Sequence, residues 1–339
     1  MELYAGLDLH SRNTYIGILD QNLKRVFKKR VINNLGIILE TLDPFRDQLK
    51  GLVVESTFNW YWLVDGLMDA GYQQFQMANP AAIKQYEGLK HSDDQHDAFF
   101  LAQLLILGIL PEGYIYPKED RPVRDLARKR LFLVRNKTAH VLSLESLIQR
   151  CCALKVTSNE MRKLSTKDLQ QWLKEKHLIL SAQANLDSIQ FLTQQILRLE
   201  EAIREKIKLS QPFQNLMTVP GIGKILAMTI MLETGDIGRF AKVGNFTSYC
   251  RCVPSRRLSD GKSKGTGNRK NGNRYLNWAF IEAAHSTCRY SQRFRNYYNR
   301  KTAQANTSLA TKALGNKLAR ICYYILRDQV PFREELLSR

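Results

Sequence analysis

Two hydrophobic periods alternate along the first 118 residues. "LYAGLDL" and "TYIGILD" are short apolar runs joined by the turn-forming "HSRN", and "RVFKKRVI" follows with the period-2 pattern of a half-exposed strand. "LGIILETLDPFRDQL" has helical spacing and leads into "GLVVEST", a compact apolar strand ending in Glu55. A helix around "WYWLVDGLMDAG", a strand "FQMAN", and helices from Pro80 onward that include "DDQHDAFFLAQLLILG" complete the region. Three strands, helix, strand, helix, strand, helix is the order of the ribonuclease H type of α/β fold. Residues 1–118 are therefore expected to form such a domain, an analogy of order until a site supports it.

The pattern then changes twice. Residues 119–210 are rich in Leu, Gln, Lys and Glu and have no strand-like runs. In "LDSIQFLTQQILRLEEAIREKIK" the apolar positions Ile189, Leu192, Ile196, Leu199 and Ile203 are spaced 3, 4, 3, 4, a coiled-coil seam. The seam predicts self-association through this arm, with a helical hairpin inside one chain as the alternative. From 211 to 339 the chain reads as a mainly α domain. It opens with "LMTVPGIGKILAMTIMLETG", a helix, a tight Pro-Gly-Ile-Gly turn and a second helix, the pattern of a helix-hairpin-helix element. "RRLSDGKSKGTGNRKNGNR" follows, dense in Gly, Lys and Arg with almost nothing apolar, and is expected to be a loop.

Composition narrows the partner class. A chain of 339 residues is long enough for two or three domains. No apolar run reaches the roughly 18 to 20 residues of a membrane span, and the N-terminus lacks the basic-then-apolar order of a signal peptide. A soluble cytoplasmic protein without a membrane partner is expected. The six cysteines lack paired C-x-x-C spacing, which predicts reduced thiols rather than disulfides or structural zinc. The formal net charge is +19, and residues 239–339 hold 21 Lys and Arg against 5 Asp and Glu. Such segregated positive charge suits a polyanion, because each neutralised phosphate releases counterions. Nucleic acid is the leading partner.

Against this background Asp8 stands out. An ionised aspartate between Leu7 and Leu9 of an apolar strand needs a strand end, a cation or a metal beside it. In a ribonuclease H-like sheet the first and fourth strands are neighbours, so Asp8 and Glu55 can point at one spot. Asp94 and Asp97, one helical turn apart, can bring two more carboxylates there. Asp93 competes with Asp94 for that role, and either pair could simply cap a helix. Four converging carboxylates repel unless divalent cations bind them, and two Mg²⁺ ions roughly 3.5–4 Å apart can stabilise the attacking and leaving oxygens of a phosphodiester.

"GLDLH", "VVEST" and "DDQHDAFFLA" together resemble the Asp, Glu, Asp-x-x-Asp signature of the DEDD insertion-sequence transposases, RNA-guided recombinases with a RuvC-like N-terminal domain that are related to pilin-gene invertases. "TVPGIGKILAMTI" and "VPSRRLSDGKSKGTGNRKNGNRYLNWAFIEAA" are similar to the family's C-terminal blocks, where "SDGK" stands in place of the usual Ser-Gly-Gly. The resemblance implies a composite site. Asp8, Glu55, Asp94 and Asp97 would bind Mg²⁺, with Mn²⁺ as a substitute, and Ser259 would attack DNA and become joined to a 5′ phosphate. Ser255 and Ser263 are nearby competitors. Arg256, Arg257, Lys262, Lys264, Arg269, Lys270 and Arg274 would neutralise phosphate charge, and Tyr275 and Trp278 begin a helix where they either stack on bases or pack. It also implies donor and target DNA, a structured noncoding guide RNA, a dimer or tetramer, and a prokaryotic, nucleoid-associated location. Competing readings are a Holliday-junction type nuclease, which needs no Ser259, and a non-catalytic nucleic-acid-binding protein. A sugar-kinase-like ATPase is disfavoured because no Gly-rich phosphate loop follows "GLDLHSRN".

Overall fold

The fold is described from a computed structural model, which covers residues 1–72, 74–83, 94–161, 163–207, 210–254, 258–259, 262–265 and 271–333, with backbone alone at 94–96, 158–159, 258–259 and 263. The chain divides into two compact units, Met1–Lys118 and Glu119–Arg339.

The first unit is built on six strands: β1 (Leu3–Leu9), β2 (Asn13–Asp20), β3 (Arg25–Ile32), β4 (Leu49–Glu55), β5 (Phe75–Ala78) and β6 (Glu112–Gly113). Their order in the sheet is β3-β2-β1-β4-β5-β6. β2 is antiparallel to both β1 and β3, and β4 runs parallel to β1 and β5. That is the ribonuclease H arrangement, extended by the two-residue strand β6, which sequence patterning did not anticipate. Helices α1 (Leu35–Leu42), α2 (Tyr61–Asp69), α3 (Pro80–Ile83) and α4 (Asp94–Ile106) complete the unit. The long helix expected from Leu35 ends early. After α1 the chain tightens into a 3₁₀ segment, Asp43–Gln48, because Pro44 supplies no N–H to continue the α-helical ladder.

Alternation along β1 decides the two faces. Leu3, Ala5, Leu7 and Leu9 enter a core with Ile16, Ile18, Val31, Leu52 and Val54 on the α1–α2 side. Tyr4, Gly6 and Asp8 therefore face α4. A Cβ on Gly6 would come within 1.9 Å of the Ala98 carbonyl oxygen, so glycine is what lets α4 lie directly on the strand. Among the described residues no helix is long and apolar enough to cross a membrane.

In the second unit two 32-residue helices, α5 (Arg121–Cys152) and α8 (Lys176–Ile207), pack against each other. Arg130 near the start of α5 meets Glu200 near the end of α8 at 2.8 Å, so the two run antiparallel. Ile189, Ile196 and Ile203 of the predicted seam are buried, while Leu192 and Leu199 are half-buried. Ile189 packs with Leu144, Leu147 and Ile148 of α5. The seam thus finds its partner within the chain, the hairpin alternative, because an equally long amphipathic helix precedes it at high effective concentration. Short helices α6 (Ser158–Met161) and α7 (Thr166–Trp172) close the far end.

The remaining helices are α9 (Gln211–Met217), α10 (Lys224–Thr234), α11 (Val243–Tyr249), α12 (Arg274–Tyr290), α13 (Gln292–Gln304) and α14 (Thr307–Asp328). They enclose a second core around Phe246, Phe280, Leu314 and Leu318. At the α9–α10 turn Gly221 has φ +85°, and a Cβ there would strike the Thr287 backbone nitrogen at 2.4 Å, so the turn packs directly onto α12. The Gly/Lys-rich stretch is not wholly a loop. Its described residues include paired strands β7 (Leu258–Ser259) and β8 (Lys262–Ser263).

Candidate active site

Asp8 sits one residue before the end of β1, on the α4 face and only 4% exposed. The polar neighbour of this buried carboxylate is His10, whose Nε2 lies 2.9 Å from Asp8 Oδ2. His10 is itself fixed: its carbonyl accepts from the Asn33 and Asn59 side-chain amides at 2.9 and 3.1 Å, and its ring meets Tyr15 edge-on at 5.9 Å. "GLDLH" contains this residue, but a histidine two positions after an acid carries no distinctive spacing, and sequence reading gave it no role.

Glu55 ends β4. Val54 pairs with Leu7, so Glu55 stands at the neighbouring strand end, level with Asp8. Val53 packs with Leu101 and Leu104 of α4, and Glu55, two residues on, shares that face. Asp97, half-buried, precedes Ala98, the residue whose carbonyl abuts Gly6. Asp8, Glu55 and Asp97 are thus gathered on one side of the sheet near its strand ends. Asp94 is the first residue of α4, one turn before Asp97, with its side chain outside the described residues; Asp93 lies outside them entirely. Hard carboxylate oxygens suit Mg²⁺. Among the described residues no three His, Cys, Asp or Glu side chains are placed to hold a metal ion together.

In the second unit Ser259 lies in β7 and pairs with Lys262. Lys262, Lys264 and Arg274 are exposed, whereas Ser255, Arg256, Arg257, Arg269 and Lys270 lie outside the described residues. The two ends of this segment are pinned together. Arg251 Nε donates to the Gly272 carbonyl at 2.9 Å, the Asn273 N–H donates to the Tyr249 carbonyl at 2.5 Å, and Asn316 donates to the Cys252 carbonyl at 3.2 Å. Asn273 also caps α12, accepting from the Tyr275 and Leu276 N–H groups. Tyr275 is clasped between Arg128 and Arg274, and Trp278 packs at the edge of the core.

Beneath Asn273 is a charged cluster that sequence reading missed. Glu233, 2% exposed, accepts from Asn273 Nδ2 at 2.7 Å, from Arg128 at 2.6 and 2.8 Å, and from Arg124 Nε at 3.2 Å. Burial pushes the Glu233 carboxyl up, but the Arg128 hydrogen bond, the two guanidinium charges and the Asn273 amide outweigh it and hold the group below its ordinary range. Burial likewise acts to lower Arg128, and its bond to Glu233 raises it above the usual value. The available signal was a lone acid in the apolar helix "KILAMTIMLET", the same anomaly that marks Asp8. A further basic face lies on α13 and α14, where burial and the charges of Arg320, Arg293 and Arg300 lower Lys317. Such convergence of cations suits an anionic partner.

Comparison with known proteins adds the context. Residues 5–153 match a DEDD-type family model described as "Transposase", and residues 213–299 match one described as "Transposase IS116/IS110/IS902 family". The chain is 27% identical over 146 residues to the transposase for insertion sequence element IS1328 of Yersinia enterocolitica, covering 42% of this chain and 44% of that protein. It therefore spans less than half the length of that relative. It is 23% identical over 278 residues to the transposase for insertion sequence element IS1111A of Coxiella burnetii, covering 76% of this chain and 72% of that one. Among solved structures, T. thermophilus RuvC in complex with Holliday junction substrate aligns with TM-score 0.26 and 16% identity, over 33% of this chain and 100% of that chain.

Proposed function

We infer that this chain is a transposase of the IS116/IS110/IS902 kind, which cleaves and rejoins DNA with carboxylates of its first unit and a serine of its second. What supports this reading is that Asp8 and Glu55 stand at the ends of neighbouring strands, on the face of a ribonuclease H-type sheet covered by α4, the helix that carries Asp97. Asp8, Glu55, Asp94 and Asp97 would hold Mg²⁺, with Mn²⁺ as a substitute; when bound, the metal neutralises phosphate charge and lowers the proton affinity of a coordinated oxygen.

The chain's own residues do the rest. Ser259 Oγ attacks the phosphorus and surrenders its proton to a base of the site, while the bond from phosphorus to the 3′ oxygen breaks and that oxygen takes up a proton. The product is a serine ester of the 5′ phosphate, and attack by another 3′ hydroxyl reverses it and joins new ends. Lys262, Lys264 and Arg274, with Arg256, Arg257, Arg269 and Lys270 in the same segment, would screen the phosphates. Base-pairing by a structured noncoding RNA would supply sequence choice, leaving the protein to read backbone and helix shape.

Ser259→Ala is the deciding variant. With DNA carrying the element's ends and Mg²⁺ present, wild-type protein is expected to yield a denaturation-resistant protein–DNA adduct, and the variant none. Normal strand exchange by Ser259→Ala would sink the covalent scheme and leave a metal-dependent nuclease of the junction-resolving kind. Self-association is the other part of the proposal. Phe191 and Leu197 of α8 and Phe132 and Leu142 of α5 are exposed on the hairpin. Phe191→Glu is expected to lower the mass in light scattering toward that of one chain, and a wild-type protein that is already a single chain would rule this out.

A further inference from the structure

Strand β3 is an edge of the sheet among the described residues, and its sequence "RVFKKR" puts cations on both faces. Direct pairing aligns Asp8 with Tyr15 and Tyr15 with Arg30, so these three side chains form one row on the α4 face. At about 4.8 Å per strand, Arg30 lies roughly 10 Å across the sheet from Asp8. Lys28, two residues from Arg30, shares that face. So does Arg25, whose guanidinium lies 4.5 Å from the centre of the Phe99 ring of α4. Arg30 lies 5.4 Å over Tyr15. All three cations are exposed, and among the described residues none has a carboxylate within ion-pair distance. A groove of about 230 Å³ runs between this strand and α4, bordered by Tyr15, Lys28, Arg30, Ala98 and Phe99, with Ile16 and Lys29, whose side chains alternation turns to the other face, also at its wall.

We propose that the α4 face of β3, with Arg25, Lys28 and Arg30, is a second DNA-backbone surface that receives the strand leading to or from Asp8. The spacing along the strand suits successive phosphates, and Tyr15 offers a ring between the cations and the carboxylate. Edge strands often carry charge to block sheet-to-sheet pairing, but any lysine on the strand serves that purpose, including Lys29 on the opposite face. The α4-side arginines are instead held over rings, in a row that leads to the acidic site. This surface lies in the first unit, and nothing in the chain's net charge distribution singled it out.

The inference rests on the reading that the Asp8 face acts on DNA, and the test separates the two. Full-length Lys28→Ala/Arg30→Ala is compared with Lys24→Ala/Lys29→Ala, which removes the same charge elsewhere on the same hairpin. Anisotropy titrations use a labelled 30-nucleotide DNA, single-stranded and duplex, and RNA of the same sequence. The first variant is expected to bind DNA roughly tenfold more weakly at 0.15 M salt, with a log–log salt slope smaller by about 1.4–1.8, and the second to stay within about twofold of wild type. Equal losses for the two variants, a loss confined to RNA, or a Lys28→Ala/Arg30→Ala protein that self-associates while holding DNA normally would each overturn the proposal. An active Asp8→Asn protein would instead overturn the underlying reading, whatever the titrations give.

Discussion

Asp8→Asn is expected to reduce DNA strand cleavage by at least about 10³-fold while leaving the fold in place. The substitution is nearly isosteric, so neither the close contact of α4 on Gly6 nor the pairing of β1 with β2 and β4 is disturbed. What changes is charge. A residue 4% exposed beside His10 loses the negative oxygen that a divalent cation needs, and Glu55 and Asp97 on the same face cannot replace it. Circular dichroism and thermal melting should be close to wild type, and an oligonucleotide cleavage assay across a Mg²⁺ titration supplies the rate. Cleavage within tenfold of wild type at saturating Mg²⁺ would remove Asp8 from the reaction, and with it the reading of this face as the active site.

Glu233→Ala is expected to destabilise the second unit by about 3–5 kcal/mol, the cost of stripping the partner from buried charge. Arg124, whose side chain is only 9% exposed, and Arg128 would lose the carboxylate that both bond to. Asn273 would lose a side-chain acceptor at the base of α12, where the Ser259 segment rejoins the core. The pH dependence has a definite sign. A carboxyl held below its ordinary range stabilises the fold fully above the unfolded-state pKa, and that contribution fades as pH falls through the lower folded-state value. Wild-type protein should therefore lose stability on acidification below the usual glutamate range, and Glu233→Gln should lack that component. Urea unfolding at neutral and acid pH measures both effects. A Glu233→Ala midpoint equal to wild type would mean that the cluster contributes nothing to stability.

The cluster also brings together positions far apart in the chain. Arg128 lies 105 residues from Glu233, and Asn273 lies 40 residues beyond it. α5, which forms half of the hairpin, is through Arg124 and Arg128 tied to the base of the segment that carries Ser259.

Much of the first unit was legible before any coordinates. Alternation in "LYAGLDL" fixes which residues of β1 enter the core, because it depends on local backbone geometry, and the order of apolar runs suggested by analogy the ribonuclease H topology that strand pairing then bears out. The segregation of positive charge into the last hundred residues is likewise a property of sequence alone. Other features depended on which elements meet. The seam of α8 is as compatible with a second chain as with α5, since a heptad pattern specifies an apolar stripe and not its partner. Lys28, Lys29 and Arg30 read alike as letters, and only strand pairing and the seat of α4 place Lys28 and Arg30, but not Lys29, in line with Asp8. Glu233 was one acid among 32 Asp and Glu until packing brought two arginines and an asparagine around it. Sequence determines the periodic, short-range preferences of each segment; long-range neighbours are selected by burial and desolvation, which exist only once the chain has folded.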